Sequence, residues 1–183
     1  AVCAGSGLLF KQRSSPAGLQ LLLLLMVLLT SFSVAVKDML RRRRYVRSHT
    51  PMQHRLSDFR ARLATQNPHP RKCERGPDRA VSVVMLADLL NTFSDFIRDR
   101  TAYYLDPNIT KPLTSKHKLS FAELAGPRRL VFFVSHFWGT PFRLFVRTLQ
   151  KHAQQFAGNL SQDDIAYWIC FLSNNQWQID DEL

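Results

Sequence analysis

Two short apolar runs on either side of a helix-length segment constrain the fold of this chain most. Val131 to Val134 is too short for a buried helix and predicts a strand covered on both faces. Ile165 to Leu172, rich in β-branched and aromatic residues, predicts a second strand. Between them, Thr140 as N-cap and Pro141 at the first helical position predict a helix to about Phe156. Two buried strands joined by a helix are most simply parallel, with a right-handed crossover.

Parallel strands place the residues that follow them on one rim of the sheet, and ligands bind at that rim in open α/β sheets. Ser135 to Gly139 follow the first predicted strand and Ser173 to Trp177 follow the second. We therefore expect both segments to lie at one ligand-binding rim. The candidate ligand-binding residues are Ser135, His136, Trp138, Gly139, Asn174, Asn175, Gln176 and Trp177.

Each candidate residue has a structural interpretation beside the functional one. His136 is placed to act as a general base or to bind phosphate or ribose, or else to form a hydrogen bond within its loop that positions Trp138. Gly139 lets the backbone approach a ligand, but no dinucleotide or P-loop glycine pattern surrounds it. The amides of Asn174 and Asn175 suit base or ribose recognition, and they equally suit capping of a following helix. No catalytic residue is assigned.

The basic charge of the chain is confined to its first part. Residues 1–80 contain fifteen Lys and Arg against four Asp and Glu, whereas residues 81–183 contain ten of each, so the net charge of +11 lies entirely in residues 1–80. The chain is therefore not a uniformly basic domain. Its three widely spaced cysteines form no zinc-binding spacing and no disulfide framework, so we expect no metal site.

Gly18 to Val36 contains no charged residue and is a transmembrane-helix candidate, just long enough for a bilayer core. The larger basic cluster, Arg41 to Arg47, follows it, and the positive-inside rule then places the C-terminal part in the cytoplasm. One alternative is a cleaved secretory signal ending near Ala35, which would make the protein a secreted glycoprotein with sequons at Asn108 and Asn159. Another is that residues 1–80 are not native coding sequence.

Residues 37–80 have the composition of a basic, Pro/Arg-rich linker. Within them, Met52 to Leu63 predicts a short amphipathic helix, which would lie on anionic lipid headgroups together with Arg41 to Arg47. A solvated, disordered linker is the alternative. We expect no nucleic-acid partner, because the arginines lack interleaved aromatic residues and no recognition motif follows them.

Residues 81–126 predict a helical lead-in to the α/β domain. Apolar residues recur at helical spacing over residues 81–100, the two prolines of residues 106–114 indicate a loop, and Ser120 to Ala125 predicts a short helical turn that ends at Gly126 and Pro127. The predicted organisation is a basic flank over 1–17, the membrane-spanning candidate over 18–36, the linker over 37–80, the lead-in over 81–126 and an α/β domain over 127–183.

The two rim motifs together resemble a known family. Ser135, His136, Trp138 and Gly139 match a Ser-His-x-Trp-Gly pattern, and Tyr167, Trp168, Asn175 and Gln176 match a Tyr-Trp-x-Cys pattern followed by Asn-Gln. This order is similar to the divergent Toll/interleukin-1-receptor-like (TIR-like) family of protists, and more distantly to the fungal heterokaryon-incompatibility domain. The resemblance covers roughly residues 130–183.

The resemblance implies a flavodoxin-like α/β domain that acts in signalling or assembly, in some branches with NAD-cleaving activity. The essential glutamate of catalytic TIR domains lies after the third strand, and Cys170 stands where some relatives carry an acidic residue. We therefore expect an incomplete flavodoxin-like parallel sheet with flanking helices. The leading hypothesis is a membrane-tethered module that associates with other proteins or with itself. The alternative is an NAD-cleaving enzyme whose catalytic half is missing.

Overall fold

The computed structural model describes residues 16–156 and 158–182. The chain divides into two units, one up to His49 and one from Thr50 onward. Residues 1–15, which contain most of the predicted basic flank, lie outside the described part, as does the side chain of Arg47.

A long helix, α1 (Pro16–Ser48), forms the described part of the first unit. Its segment Ala17–Arg44 has 28 residues and a mean hydropathy of 2.4 in its most apolar window, so it is long and apolar enough to cross a membrane. The predicted span over residues 18–36 lies inside this segment. The basic residues that follow continue the same helix, so the structure differs here from the linker predicted to begin at residue 37.

The second unit begins with α2 (Pro51–Gln66), whose N-terminus is closed by a reciprocal capping box between Thr50 and Gln53. Leu56, Phe59 and Leu63 of this helix are buried in the hydrophobic core. The predicted amphipathic helix is therefore present, but its apolar face packs against protein. It is not available for a lipid surface, and this part of the predicted linker belongs to the folded unit.

Three short strands form a mixed sheet. The strands are β1 (Val81–Ser82), β2 (Phe132–Val134) and β3 (Ala166–Ile169), in the order β1-β3-β2. β2 and β3 are parallel, as predicted, with Phe133 opposite Trp168. β1 runs antiparallel to β3, with Val81 opposite Tyr167. The sheet thus contains the predicted parallel pair together with an antiparallel edge strand.

The prediction that β2 is covered on both faces is wrong. β2 is an edge strand, and its side chains alternate between half-buried and exposed, with Phe133 65% exposed. The apolar run arises because Phe132 and Val134 pack against the core while Phe133 lies on the open face with the half-buried Trp168. A continuous apolar run therefore does not prove that both faces are buried.

Helical elements occupy most of residues 83–125, and they are more extensive than the predicted lead-in. The predicted helix over residues 81–100 appears as α3 (Val83–Thr92) and α4 (Ser94–Ile97). The predicted loop is instead helical: α5 (Ala102–Leu105), a π-helical turn (Asp106–Thr110) and α6 (Lys111–Thr114) follow one another directly. Each proline of this segment sits at the start of its helical element, where it can be accommodated.

The short turn α7 (Phe121–Ala125) forms as predicted. Ser120 and Glu123 make a capping box at its N-terminus, and Gly126 ends it with φ = +97°. That backbone conformation favours glycine over residues with a side chain.

The predicted crossover helix is α8 (Phe142–Phe156), and it packs against α3. Pro141 precedes it, and the Pro141 carbonyl accepts the first helical hydrogen bond from the Phe145 N–H at 3.1 Å. Pro141 therefore occupies the N-cap position that was expected for Thr140. The buried residues of α8 are Phe142, Phe145, Val146, Leu149 and Ala153.

The second predicted strand is shorter than its apolar run. β3 ends at Ile169, and the chain turns into α9 (Cys170–Ser173) and then α10 (Ile179–Glu182). The Ser173 hydroxyl accepts a hydrogen bond from the Ile169 N–H at 3.0 Å and so stabilises this change of direction. Phe171 and Leu172 belong to the helical turn α9 and are buried in the core. Because they are apolar for this reason, the sequence pattern extended the predicted strand over them.

Candidate functional site

The two segments of the predicted rim meet through aromatic and sulfur contacts. The Trp138 indole N–H lies 3.2 Å from the Cys170 thiol sulfur, and the Trp138 ring contacts the Phe171 ring edge-on at 5.6 Å. Because β2 and β3 are parallel, the residues after them come together at one end of the sheet, as expected. The contact is formed by Cys170 and Phe171, however, and not by the polar residues 174–177.

His136 is enclosed by aromatic rings. Its imidazole stacks on Phe145 with ring centroids 4.4 Å apart, and Phe171 lies 5.7 Å away. Both ring nitrogens are buried and have no hydrogen-bond partner among the described residues. Burial lowers the pKa of His136 below its usual 6.5, so the ring is neutral near pH 7. The loop hydrogen bond considered for His136 is not formed, and neither nitrogen is exposed to a ligand in this conformation.

Phe137 occupies the space beside Gly139. A Cβ atom added at Gly139 would lie 2.3 Å from the Phe137 ring. Phe137 itself is 72% exposed, and Ser135 is also exposed. The close approach that Gly139 permits is therefore made by an aromatic side chain of the same loop, where a ligand was expected.

Asn175 and Trp177 hold the turn that follows α6. Asn175 is 1% exposed, and its side-chain amide donates to the Lys118 carbonyl at 2.9 Å. The Asn175 side-chain oxygen accepts from the Trp177 N–H at 3.0 Å, and the Trp177 indole N–H donates to the Thr114 hydroxyl at 2.9 Å. The Lys118 ammonium lies 3.2 Å from the centre of the Trp177 ring. These groups are occupied by structural contacts.

Asn174 and Gln176 have local roles. The Asn174 N–H donates to the Cys170 carbonyl at 2.9 Å and closes α9, and the Gln176 amide donates to the Asn174 carbonyl at 3.3 Å. Neither Asn174 nor Asn175 directly precedes the last helix, so the expected N-cap role is replaced by closure of α9 and by a turn at Asn175.

Two grooves of the second unit lie away from the predicted rim. A groove of about 540 Å³ borders β1 and is lined by Ser82, Asp88 and Arg128, and a groove of about 320 Å³ lies between α2 and the end of α6. Gln176 lines a space of about 10 Å³ beside Asp106. That space has room for about one water molecule. Burial raises the pKa of Asp106, whose carboxylate accepts a hydrogen bond from Thr110 at 2.9 Å.

A buried ionic cluster lies outside the residues that the sequence predicts for the site. Arg79, 2% exposed, donates to both carboxylate oxygens of Glu182 at 2.7 and 2.8 Å and lies 3.3 Å from Glu123. Its guanidinium also donates to the Cys73 carbonyl, and the Cys73 N–H donates to Glu123 at 2.9 Å. Burial, together with the charge of Glu123, raises the pKa of the Cys73 thiol. The cluster joins the segment before β1 to α7 and α10.

One sequence signal pointed to part of this cluster. Ser120 and Glu123 have the spacing of a capping box, and Glu123 accepts from the Ser120 N–H at 2.8 Å. The pairing of Arg79 with Glu182 has no local signal, because 103 positions separate the two residues. In the described residues, no group of three or more His, Cys, Asp or Glu side chains is arranged to hold a metal ion.

Comparison with known proteins adds no family assignment. No protein-family model matches the chain, and no curated protein or solved structure is significantly similar to it. The TIR-like resemblance therefore stays a prediction from the two rim motifs.

Proposed function

We propose that this chain is a membrane-tethered module that acts by self-association, built on a TIR-like α/β domain. The observation that carries the proposal is the exposed aromatic face of the β2 edge. Phe133 is 65% exposed and stacks on Trp168 at 5.1 Å, and Phe137, three residues after β2, is 72% exposed. Exposed apolar patches of this kind are typical of interaction sites.

The outer backbone edge of β2 offers hydrogen-bonding groups to a partner strand. The Val131 N–H donates to the Ala166 carbonyl at 3.0 Å, so the backbone groups of Phe132 and Val134 face away from β3. The Leu130 N–H, at the start of that outer edge, donates to the Pro77 carbonyl at 2.6 Å. Beyond it, among the described residues, no strand pairs with the edge, and residues 131–137 contain no Lys, Asp, Glu or Pro that would discourage pairing. A second copy presents the same edge and allows a two-fold symmetric, antiparallel pairing.

The membrane tether rests on α1. The helix is long and apolar enough to span a bilayer, and by the positive-inside rule the arginines that follow support a cytoplasmic location for the second unit. Replacing Val27, in the middle of the apolar segment, by Arg would cost about 2.5–3.5 kcal/mol of insertion free energy. We expect Val27→Arg to shift the protein into the alkali-extractable fraction, whereas Met39→Arg, in the basic half of α1, should not.

The association is tested with the full chain in lipid nanodiscs and in detergent, by counting subunits with single-molecule photobleaching. We expect dimers or larger assemblies for the natural sequence and monomers for Phe133→Ser combined with Phe137→Ser. Phe156→Ser is the matched control, because Phe156 is 61% exposed but lies at the end of α8. A monomeric natural protein, or equal assembly of the double variant and the control, would refute self-association.

Association is favoured over catalysis because the side chains of Asn175, Gln176 and Trp177 are engaged in structural contacts and both ring nitrogens of His136 are buried. The NAD-cleaving alternative is tested by incubating the assembled full chain with NAD and measuring nicotinamide. If nicotinamide is released and His136→Phe abolishes the release, NAD cleavage replaces association as the primary function.

A further inference from the structure

A preformed groove lies on the second unit between α2 and the end of α6. Its volume is about 320 Å³, at the lower end of the range for ligand sites. One wall is α2, a second is the segment after α2, and the third is the end of α6 with the following turn. The lining residues that matter here are Leu63, Ala64, Pro68, Leu113, Lys116 and His117.

The floor of this groove is apolar and rigid. Leu63, Leu113 and Leu124 line the groove from the buried core and are at most 7% exposed, so the apolar surface open to a ligand is provided by Ala61, Ala64, Pro68 and Pro70. The Asn67 side chain donates to the carbonyls of Glu123 and Leu124 at 3.0 and 3.2 Å, and it fixes the start of the wall that contains Pro68 and Pro70. A wall held by hydrogen bonds and prolines loses little conformational entropy when a ligand binds.

The rim of the groove is basic. Lys116 and His117 are exposed at the mouth, and Arg60 lines the α2 side, where its guanidinium donates to the carbonyls of Pro112 and Leu113. No Asp or Glu lines the groove. The groove beside β1 is different, because Asp88 and Asp163 line it together with Arg128. An apolar floor below an exclusively basic rim is complementary to an aliphatic chain that carries an anionic headgroup.

We propose that this groove binds an acidic phospholipid of the membrane, with part of an acyl chain against Ala64, Pro68 and Pro70 and the anionic headgroup at Lys116 and His117. The inference rests on the proposed membrane tether, because the tether keeps the second unit where such lipids are concentrated. Lys116 supplies charge attraction, and His117 adds an N–H donor to a phosphate oxygen. Binding would give the association module a dependence on lipid composition.

The test uses the full chain in non-ionic detergent micelles that contain a phosphatidylserine with a photoactivatable diazirine on its acyl chain. After irradiation, mass spectrometry locates the labelled peptides. We expect labels on residues 60–70 and 113–117, and about fivefold less labelling there by the phosphatidylcholine analogue, which keeps the phosphate but lacks the net negative charge that one basic contact would attract. Equal labelling by the two lipids, or labels on α1 alone, would overturn the proposal.

Two surface variants make the test specific. Ala64 is exposed at the groove, so Ala64→Trp fills it without replacing a core residue and should reduce the labelling at least fivefold. Lys116→Glu should remove the preference for phosphatidylserine, whereas Lys151→Glu, exposed on α8, should keep it. Unchanged labelling in Ala64→Trp would contradict the groove site.

The groove proposal and the proposed function can fail independently of each other. The micelle experiment requires neither insertion into a bilayer nor self-association, and Phe133→Ser combined with Phe137→Ser should label as the natural sequence does. Loss of labelling in that double variant would show that the lipid is bound at the aromatic face, and this would overturn the groove assignment.

Discussion

Replacement of Arg79 by methionine should be among the most destabilising single substitutions in the second unit. Arg79 makes two short hydrogen bonds to Glu182, an ion pair to Glu123 and hydrogen bonds to the Cys73 carbonyl, and all three charged side chains are at most 5% exposed. Methionine replaces much of the aliphatic stem but leaves two buried carboxylates without a cation. Breaking a buried pair in this way costs about 3–5 kcal/mol.

The assay is urea unfolding of the full chain in detergent micelles, followed by tryptophan fluorescence. With a urea dependence of about 2 kcal/mol per molar, the midpoint should fall by about 1.5–2.5 M. Arg55→Met is the matched control, because Arg55 lies 3.6 Å from Asp95 in a pair whose side chains are 48% and 78% exposed. Such a pair contributes less than about 1 kcal/mol.

Two further variants keep the prediction testable if Arg79→Met is too unstable for its urea midpoint to be measured. Arg79→Lys keeps the charge but has one nitrogen in place of the three guanidinium nitrogens that contact Glu182, Glu123 and the Cys73 carbonyl, so its midpoint should lie between those of the natural sequence and Arg79→Met. Glu182→Gln keeps a hydrogen-bond acceptor at this position and removes one of the two negative charges that face Arg79. It should therefore lower the free energy of unfolding by less than about 1.5 kcal/mol. Equal midpoints for Arg79→Met and Arg55→Met would refute the reasoning.

Two other predictions concern single residues near the sheet. His136→Phe should stabilise the protein, and more at pH 5.5 than at pH 7.5. Burial lowers the folded-state pKa of His136 below 6.5, so its contribution to stability is complete above that pH and is lost on acidification as the unfolded chain takes up the proton; parallel pH profiles of the two proteins in urea unfolding would disprove this. Gly126→Ala should cost about 1–3 kcal/mol because φ is +97° at Gly126, whereas Gly139→Ala should cost less, since it displaces only the exposed Phe137 ring. Similar melting temperatures for the two alanine variants would contradict that explanation.

Elements with a strong local signal could be predicted, and their ends could not. The helical spacing before residue 100, the Ser120–Gly126 turn and α8 all appear where the pattern placed them. β3 was predicted too long, because Phe171 and Leu172 are buried from a helical turn and apolarity alone does not distinguish the two conformations. The prolines of residues 106–114 suggested a loop, yet each begins a helical element, where proline costs little.

The candidate site was predicted in position but not in chemistry. Parallel pairing of β2 and β3 brings residues 135–139 next to Cys170 and Phe171, and this follows from strand order and connection length. Whether a polar side chain at that end faces solvent or a neighbouring backbone depends on turns that the motif does not encode. Asn175 and Trp177 bind the turn after α6, which lies about sixty positions away in the sequence.

The sequence by itself determined the features that depend on local periodicity and composition: an apolar segment long enough to span a membrane, a basic flank, and a strand-helix-strand unit. Only the tertiary structure decided that α2 is part of the core, that β2 is an edge with an exposed aromatic face, and that Arg79 is paired with Glu123 and Glu182. Each of these depends on which distant segment covers a given side chain, and burial by a distant segment leaves no periodic signal in the local sequence.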